Sequence, residues 1–279
     1  MCKGGIFVSV TYCFPYLINN IDSNKYTSTS NCLNVPSDVG IGNSYLDCSN
    51  LKSQTNLDKL SDWTKEKEMK LNTDKSKYMI LNFSKNYKFN TRLNLEGEVL
   101  DQVHEAKLLG LVIRDDLSWR SNTNLLTKKA YTRMIILKNL FQFDVSTDDL
   151  VEIYTLYIRS VVEQSAVVWH SSLTKGEELD LERVQKVALR LILKDDYSSY
   201  AEALAVTGLD TLKSRRKKLC YNFAKKCLKS ELTSDIFPEN ENVLNTRDPE
   251  KYHVPFARTD RLANSSIPYM ARLLNAKVK

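Results

Sequence analysis

The chain has 279 residues, of which 42% are hydrophobic and 27% charged, so it is long enough to bury one large core or two smaller ones. Its formal net charge of +6 mildly favours an anionic partner such as nucleic acid. No segment offers the roughly 18 uninterrupted apolar residues of a transmembrane helix, so the sequence predicts no membrane span.

The cysteines favour a reducing compartment. All six are scattered, and none forms a Cys-x-x-Cys pair, whereas zinc sites and disulfide scaffolds usually have tighter spacing. Cys220 and Cys227 fall on one face of a helix, where core packing is favoured over metal binding.

The apolar run from Ile6 to Ile18 is a candidate secretory segment, but no clear cleavage site follows it. We therefore expect an intracellular protein, cytoplasmic or nuclear, without a metal site.

Residues 1–54 are expected to be poorly ordered. Within them, residues 19–54 are rich in Asn, Ser and Thr, carry little charge and show almost no hydrophobic periodicity. This composition is typical of loop or disorder.

Residues 55–118 begin with a predicted helix, "TNLDKLSDWTKEKEM". Leu57, Leu60 and Trp63 lie on one helical stripe, and Met69 follows near its end.

Short strands are predicted after this helix. The segments "KYMILNF" (77–83) and "AKLLGLVI" (106–113) are apolar runs typical of strands, and "TRLNLEGEVLD" alternates around Glu96 and Gly97, a hairpin signal. These segments predict a small antiparallel sheet beside one helix.

Residues 119–230 are predicted to be helical, and residues 231–279 an irregular C-terminal tail. The predicted helices cover 122–143, 146–170, 176–194, a short segment ending at Gly208, and 210–230. Ser146 or Thr147 is expected as an N-cap, and Gly208 as a C-cap. The fold class is therefore α+β, a small antiparallel sheet followed by a mostly helical domain.

Two of these helices carry core predictions. The segment 146–170 is apolar most of the way round and is expected to be the buried central helix, with Tyr154, Tyr157 and Trp169 as core residues. The face predicted to be buried in 176–194 consists of Leu181, Val184, Val187, Ala188 and Leu191.

The helix 210–230 is basic and amphipathic. Its cations are Lys213, Arg215, Arg216, Lys217, Lys218, Lys225, Lys226 and Lys229, and its apolar side is formed by Leu212, Leu219, Phe223 and Ala224. Backbone phosphates would suit the cationic face, and binding would depend strongly on salt. A simply solvated face is an equally open interpretation.

The ordered motifs from Leu57 onward resemble the reverse transcriptases of non-LTR retrotransposons, jockey-like elements especially. The resemblance is carried by "LDKLSDWTKEKEMKLNTDKSKYMILNF", "EAKLLGLVIRDDLSW", "IYTLYIRSVVEQSAVVWHSSLTKGEELDLERVQKVALRLIL" and "ARTDRLANSSIPYMARLLN". In the third segment the similarity includes Tyr, Ile-Arg-Ser, Val-Trp and Leu-Glu-x-x-Gln.

The resemblance implies RNA-directed DNA synthesis and a partner, an RNA/DNA primer–template duplex. It implies that 1–54 is a remnant of the palm, 55–118 the residual palm and primer-grip region, and 119–230 a thumb-like domain. Lys75 would match the lysine near the incoming triphosphate, and Leu109 and Gly110 would place backbone near the primer. A solvated turn lysine and a packing glycine in a strand remain the alternative interpretations.

The family's catalytic carboxylates are not found where the resemblance would place them. Such enzymes hold two Mg²⁺ ions with acidic residues on neighbouring strands, but the corresponding window, Asn24 to Cys32, carries Thr27, Ser28 and Thr29 after Tyr26. Hydroxyl groups bring no negative charge to a dication, and the upstream fingers are absent from the sequence. We therefore expect an inactive fragment without catalytic residues, metal or cofactor.

Two alternatives remain. The chain could be a non-catalytic nucleic-acid-binding module, or a relic without a role. Residues 106–143 are also similar to the N-terminal element of a tRNA-modifying AlkB homologue. Iron dioxygenase activity is rejected, because His104, His170 and His253 are isolated and lack the required two-His-one-carboxylate spacing.

Overall fold

A computed structural model of the chain describes residues 4–12, 38–45, 50–69, 71–82, 92–240 and 251–276. The fold is α+β, as predicted. The chain divides into two compact units, Met1–Ser121 and Asn122–Lys279, here called the sheet unit and the helical unit. The sequence had placed the corresponding boundary between 118 and 119.

The sheet unit contains eight strands and one helix within its described residues. They are β1 Gly4–Tyr12, β2 Asp38–Tyr45, α1 Asn50–Glu66, β3 Leu71–Asn82, β4 Asn94–Leu95, β5 Glu98–Val99, β6 Asp101–Gln102, β7 Glu105–Leu108 and β8 Leu111–Arg114.

The main sheet has the strand order β2-β1-β3-β6. Strand β1 pairs antiparallel with both β2 and β3, whereas β6 pairs parallel with β3. Two of the four strands, β1 and β2, thus lie in the segment expected to be poorly ordered, and α1 begins at Asn50 rather than Thr55. Local composition missed β1 and β2, because their backbone hydrogen bonds are made to distant parts of the chain.

An irregular stretch interrupts β3 before the predicted strand 77–83. The register against β1 shifts between Asn72 and Lys77, where the sequence resemblance had placed a turn. The Asn72 side chain accepts a hydrogen bond from the backbone N–H of Lys75 at 3.0 Å, and the Asn72 carbonyl accepts one from the Ser76 hydroxyl at 2.7 Å. Asparagine side chains often form such hydrogen bonds with backbone groups a few residues away.

Two tight hairpins follow. The turn predicted at Glu96-Gly97 is confirmed, since β4 and β5 pair across it. The strand predicted at 106–113 is wrong: β7 and β8 pair with each other, and Leu109 and Gly110 form the turn between them, with φ angles of 48° and 84°. Positive φ at both positions is typical of the type I′ two-residue hairpin turn, and glycine adopts it freely whereas leucine does not.

The core of the sheet unit forms where α1 packs on the sheet and the first hairpin. Leu57 and Leu60 are buried as predicted, and Trp63 packs partly buried against them. The remaining members of this cluster are Leu71, Tyr78, Ile80, Leu93, Leu95 and Leu100.

The helical unit contains ten α-helices within its described residues, counting α2, which begins just before the unit boundary. They are α2 Arg120–Arg133, α3 Ile135–Leu140, α4 Thr147–Ile153, α5 Ser160–Val162, α6 Ala166–Trp169, α7 Lys175–Leu193, α8 Tyr200–Thr207, α9 Leu212–Lys229, α10 Asp260–Ala263 and α11 Ser266–Asn275. Ser146 caps α4 and Gly208 caps α8, as predicted.

The single helix predicted at 146–170 is wrong. A π-helical turn, Tyr154–Arg159, separates α4 from α5, and Ser165 adopts a left-handed conformation with φ 53° before α6 begins. The break lets the buried Trp169 indole donate a hydrogen bond to the Gln164 carbonyl at 2.9 Å. A local hydrogen bond thus forms across the break in the helix.

The core predictions for this segment are partly confirmed. Tyr154 and Trp169 are fully buried, but Tyr157 is 45% exposed and packs under the Arg133 guanidinium, 4.5 Å from its ring centre. The extra residue in a π-helical turn shifts the faces of the helix, so α-helical spacing no longer predicts which side chain is buried.

The buried face of α7 is rotated relative to the prediction. Leu181, Val184 and Ala188 are buried as expected, whereas Val187 and Leu191 are only partly buried. Gln185, Leu189 and Ile192 take their place in the interior.

The segment 231–279 is more ordered than expected. Its last helix, α11, packs on α9 through Met270, Ala271 and Leu273. Cys220 and Cys227 are buried free thiols in this cluster, so they are core residues as predicted.

Candidate nucleic-acid interface

The basic helix α9 is anchored at its N-terminus by polar side chains. Thr211 caps the helix, since its hydroxyl accepts the Ser214 backbone N–H at 3.1 Å. The Glu182 carboxylate of α7 accepts the backbone N–H groups of Leu212 at 3.1 Å and Lys213 at 3.3 Å. These groups have no partner within the helix, and the helix N-terminus favours negative charge. The position of α9 on α7 is thereby fixed.

A buried hydrogen-bond network continues from Glu182 to Gln185. The Tyr154 hydroxyl donates to the Gln185 side-chain oxygen at 2.7 Å, and the Gln185 amide donates to the Tyr200 hydroxyl at 3.1 Å and to the Asp210 carbonyl at 2.9 Å. The Tyr200 hydroxyl in turn donates to Glu182. Burial raises the pKa of both tyrosines above their usual value. Through Glu182 and Gln185, the Leu-Glu-x-x-Gln motif thus connects α7 with the three segments that carry Tyr154, Tyr200 and Asp210.

Part of the predicted cationic face is neutralised by a carboxylate. Arg215 donates two hydrogen bonds to Glu163, at 3.1 and 3.2 Å, and this pairing raises the pKa of Arg215. Arg159 lies 3.7 Å from the same carboxylate. Glu163 is only 13% exposed, so the pair holds α9 against the end of α5.

Two of the predicted lysines also form ion pairs. Lys213 lies 2.9 Å from Glu178, and Lys218 lies 2.7 Å from Asp210, whose pKa is lowered by that hydrogen bond. All four side chains are partly exposed, so a phosphate could compete for either lysine.

Arg216 was predicted to contact nucleic acid from the cationic face. This prediction is wrong, because Arg216 does not lie on that face. Its side chain is 0% exposed, and its two terminal nitrogens make no hydrogen bond within the described residues. It donates to the His170 ring at 3.3 Å and lies 5.9 Å from the Trp169 ring centre. Burial lowers its pKa. Helical position explains the error, because Arg216 shares the buried face with Leu212 and Cys220.

The remaining cations of α9 stay exposed. They are Lys217, Lys225, Lys226 and Lys229, and none forms an ion pair within the described residues. Lys225 lies 4.7 Å from the Tyr221 ring centre.

Three of these lysines line a groove of about 530 Å³. One wall is α9, with Leu219, Asn222, Phe223, Lys225, Lys226 and Lys229; the other is formed by Glu163 and the start of α6, from Ser165 to Val167. We call this the α9 groove.

The predicted residues of the sheet unit lie in two other places. Lys75 is exposed in the irregular part of β3. Leu109 is 72% exposed at the hairpin tip beside Gly110, and not within a strand as predicted.

The second wall of the α9 groove is not predicted by the sequence pattern. Helical periodicity predicted a continuous helix through Ser165, and nothing local marks this serine as a break. Glu163 was equally unmarked, since its partner Arg215 is far away in the sequence.

The window from Asn24 to Cys32, where the resemblance would place catalytic carboxylates, lies outside the described residues. Among the residues that the structure does describe, no three His, Cys, Asp or Glu side chains gather to form a metal site. In the same part of the chain, no helix combines the length and apolarity needed to cross a membrane.

Comparison with protein-family models, with curated proteins and with solved structures finds no match to this chain.

Proposed function

We propose that the helical unit binds nucleic acid through the exposed lysines of α9. The observation that carries the proposal is the clustering of Lys225, Lys226 and Lys229 along one groove. Among the described residues that line it, the only carboxylate is Glu163, which is already engaged by Arg215. The groove is therefore cationic, and it suits an anionic chain.

Phosphate contacts of this kind release counterions, so affinity falls steeply as salt increases. Each lysine–phosphate contact contributes about 0.7 (single strand) to 0.9 (duplex) to the slope of log K against log salt. Removing three contacts should therefore flatten the slope by about 2 to 3.

The test is fluorescence anisotropy with labelled RNA and DNA oligonucleotides across a salt series. Replacing Lys225, Lys226 and Lys229 together by Gln should weaken binding and flatten the salt slope. A charge-matched control replaces the exposed lysines Lys128, Lys138 and Lys175 by Gln. If both variants behave alike, binding is not located at α9; if the unaltered chain does not bind even at low salt, the proposal fails.

The chain is, in this proposal, derived from a non-LTR retrotransposon reverse transcriptase. Support comes from the order of the resembling motifs and from the coupled roles of their polar residues: Glu182 and Gln185 hold α9, and Arg159 approaches Glu163. The sheet unit would then correspond to the last strands of a palm, and the helical unit to a thumb.

Polymerase activity of residues 1–279 is not part of the proposal, because the sequence window expected to carry the carboxylates has only hydroxyl side chains at Thr27, Ser28 and Thr29. Primer extension with Mg²⁺, all four deoxynucleotides and a primed RNA template should give no product. Extension by the purified chain would overturn this assignment while leaving the binding proposal intact.

A further inference from the structure

The α9 groove combines charge with an exposed aromatic ring. Along α9, Leu219, Phe223 and Lys226 follow one another at helical spacing on the wall of the groove. Phe223, which the sequence places on the apolar side of the helix, is 42% exposed. A large apolar ring beside the three groove lysines is thus available to a ligand.

The opposite wall consists of Glu163 and the small side chains of Ser165, Ala166 and Val167. The left-handed residue Ser165 directly precedes α6, and Ala166 and Val167 border the groove from the start of that helix. The volume of about 530 Å³ lies within the range of roughly 300–1,000 Å³ that accommodates small organic ligands. It is large enough for a nucleobase.

We infer that the α9 groove binds single-stranded nucleic acid, with an unpaired base packed against Phe223 and neighbouring phosphates at Lys225, Lys226 and Lys229. This inference rests on the proposed function and specifies its ligand. A duplex presents phosphates to a protein surface but keeps the faces of its bases stacked inside. Only an unpaired base offers a flat apolar face to Phe223, and stacking on aromatic side chains is the usual device of single-strand binding.

The charge balance of the groove is consistent with this ligand. Glu163 would repel a phosphate if it were free, but the bidentate contact with Arg215 offsets its charge. An acidic peptide would also meet the lysines, but it offers no planar ring for Phe223.

The experiment uses the full chain and an oligonucleotide carrying the fluorescent base 2-aminopurine. Affinity and base fluorescence are measured for single-stranded RNA, single-stranded DNA and the matching duplex. The variants are Phe223→Leu, which keeps an apolar side chain but removes the aromatic face, and Lys226→Gln. Phe143→Leu is the matched control, because Phe143 is 72% exposed and lies outside the groove lining. Circular dichroism checks that each variant is folded.

Phe223→Leu should weaken single-strand binding about tenfold, reduce the change in base fluorescence and leave the salt slope unaltered. Lys226→Gln should instead flatten the single-strand slope by about 0.7. Phe143→Leu should match the unaltered chain.

Three results would overturn the inference: equal behaviour of Phe223→Leu and Phe143→Leu, duplex binding as tight as single-strand binding, or displacement of the oligonucleotide by polyglutamate at equal charge concentration. In the first two cases lysine-dependent binding would persist, so the proposed function would stand. No binding of any nucleic acid at low salt would remove both.

Discussion

The amide of Gln185 satisfies polar groups from three different segments. It is 0% exposed, accepts from Tyr154, and donates to Tyr200 and to the Asp210 carbonyl. A buried donor or acceptor without a partner costs more than a typical hydrogen bond contributes. The side chain is therefore a structural centre of the helical unit, although sequence alone presents it only as part of a motif.

Replacing Gln185 by Leu should lower the free energy of unfolding by about 2 to 4 kcal/mol, because the Tyr154 hydroxyl and the Asp210 carbonyl would lose their partner. Urea denaturation followed by circular dichroism measures the change. Gln142→Leu, at an exposed glutamine, is the matched control and should stay within about 0.5 kcal/mol of the unaltered chain. A comparable loss in both variants would contradict the role of the network.

His170 is a second residue whose surroundings decide its chemistry. It is 5% exposed, it accepts a hydrogen bond from Arg216 and its ring contacts Tyr269 edge-on. Burial, together with the Arg216 charge, lowers the pKa of His170 to about 4. Accepting from a guanidinium requires an unprotonated ring nitrogen, so the geometry and the pKa agree on a neutral histidine.

This pKa predicts a loss of stability in mild acid. Between about pH 6.5 and pH 4 the unfolded chain binds a proton that the folded chain does not, so the free energy of unfolding decreases as pH falls, by up to about 3 kcal/mol from His170. Above pH 6.5 both states are neutral and this contribution to the pH dependence vanishes. Urea denaturation across this range should show a shallower decrease for His170→Gln, whereas His253→Gln, at an exposed histidine, should follow the unaltered chain. Parallel profiles for all three proteins would be inconsistent with a buried neutral His170.

Among the elements, the β7–β8 hairpin shows how turn geometry overrides an apolar pattern. The run 106–113 contains enough apolar residues for one strand, but Gly110 allows the chain to reverse and Leu109 is carried into the left-handed region with it. Leucine there is disfavoured by roughly 1–2 kcal/mol relative to its ordinary conformations.

Leu109→Asn should therefore raise the free energy of unfolding by about 1 kcal/mol, since Asn-Gly is the preferred pair for this turn. The variant Leu109→Val should have the opposite effect, because a β-branched side chain tolerates positive φ poorly. Amide hydrogen exchange of β7 and β8 measures both. Faster exchange in Leu109→Asn than in the unaltered chain would exclude this account of the turn.

At the scale of the whole molecule, the two units each contain a core of their own. The sheet unit buries the cluster around Leu57 and Leu60, and the helical unit the cluster around Cys220 and Phe237. Contacts are concentrated within Met1–Ser121 and within Asn122–Lys279. Units with separate cores are expected to open separately in the native state.

This division predicts a localised response to Gln185→Leu. Amide exchange should become faster throughout the described part of 122–279, whereas the amides of α1 should exchange as in the unaltered chain. Hydrogen–deuterium exchange resolved by mass spectrometry makes the comparison. An equal acceleration in α1 would show that the chain unfolds as one cooperative body.

The sequence by itself determined the features that depend on neighbours along the chain. Helical spacing located α7 and α9, cap residues located the start of α4 and the end of α8, and the Glu96-Gly97 pair located a hairpin. These signals act over a few residues, because they reflect backbone sterics and the unpaired groups of helix ends.

Only the tertiary structure decided which of the predicted contact residues are exposed to a ligand. Arg216 and Phe223 lie on the same basic helix, yet the cation is buried and the ring is exposed. The break at Ser165, the pairing of Glu163 with Arg215 and the strands β1 and β2 depend likewise on partners far away in sequence. The physical reason is that burial and charge pairing are properties of the packed chain, and local periodicity cannot specify which distant partner a side chain will meet.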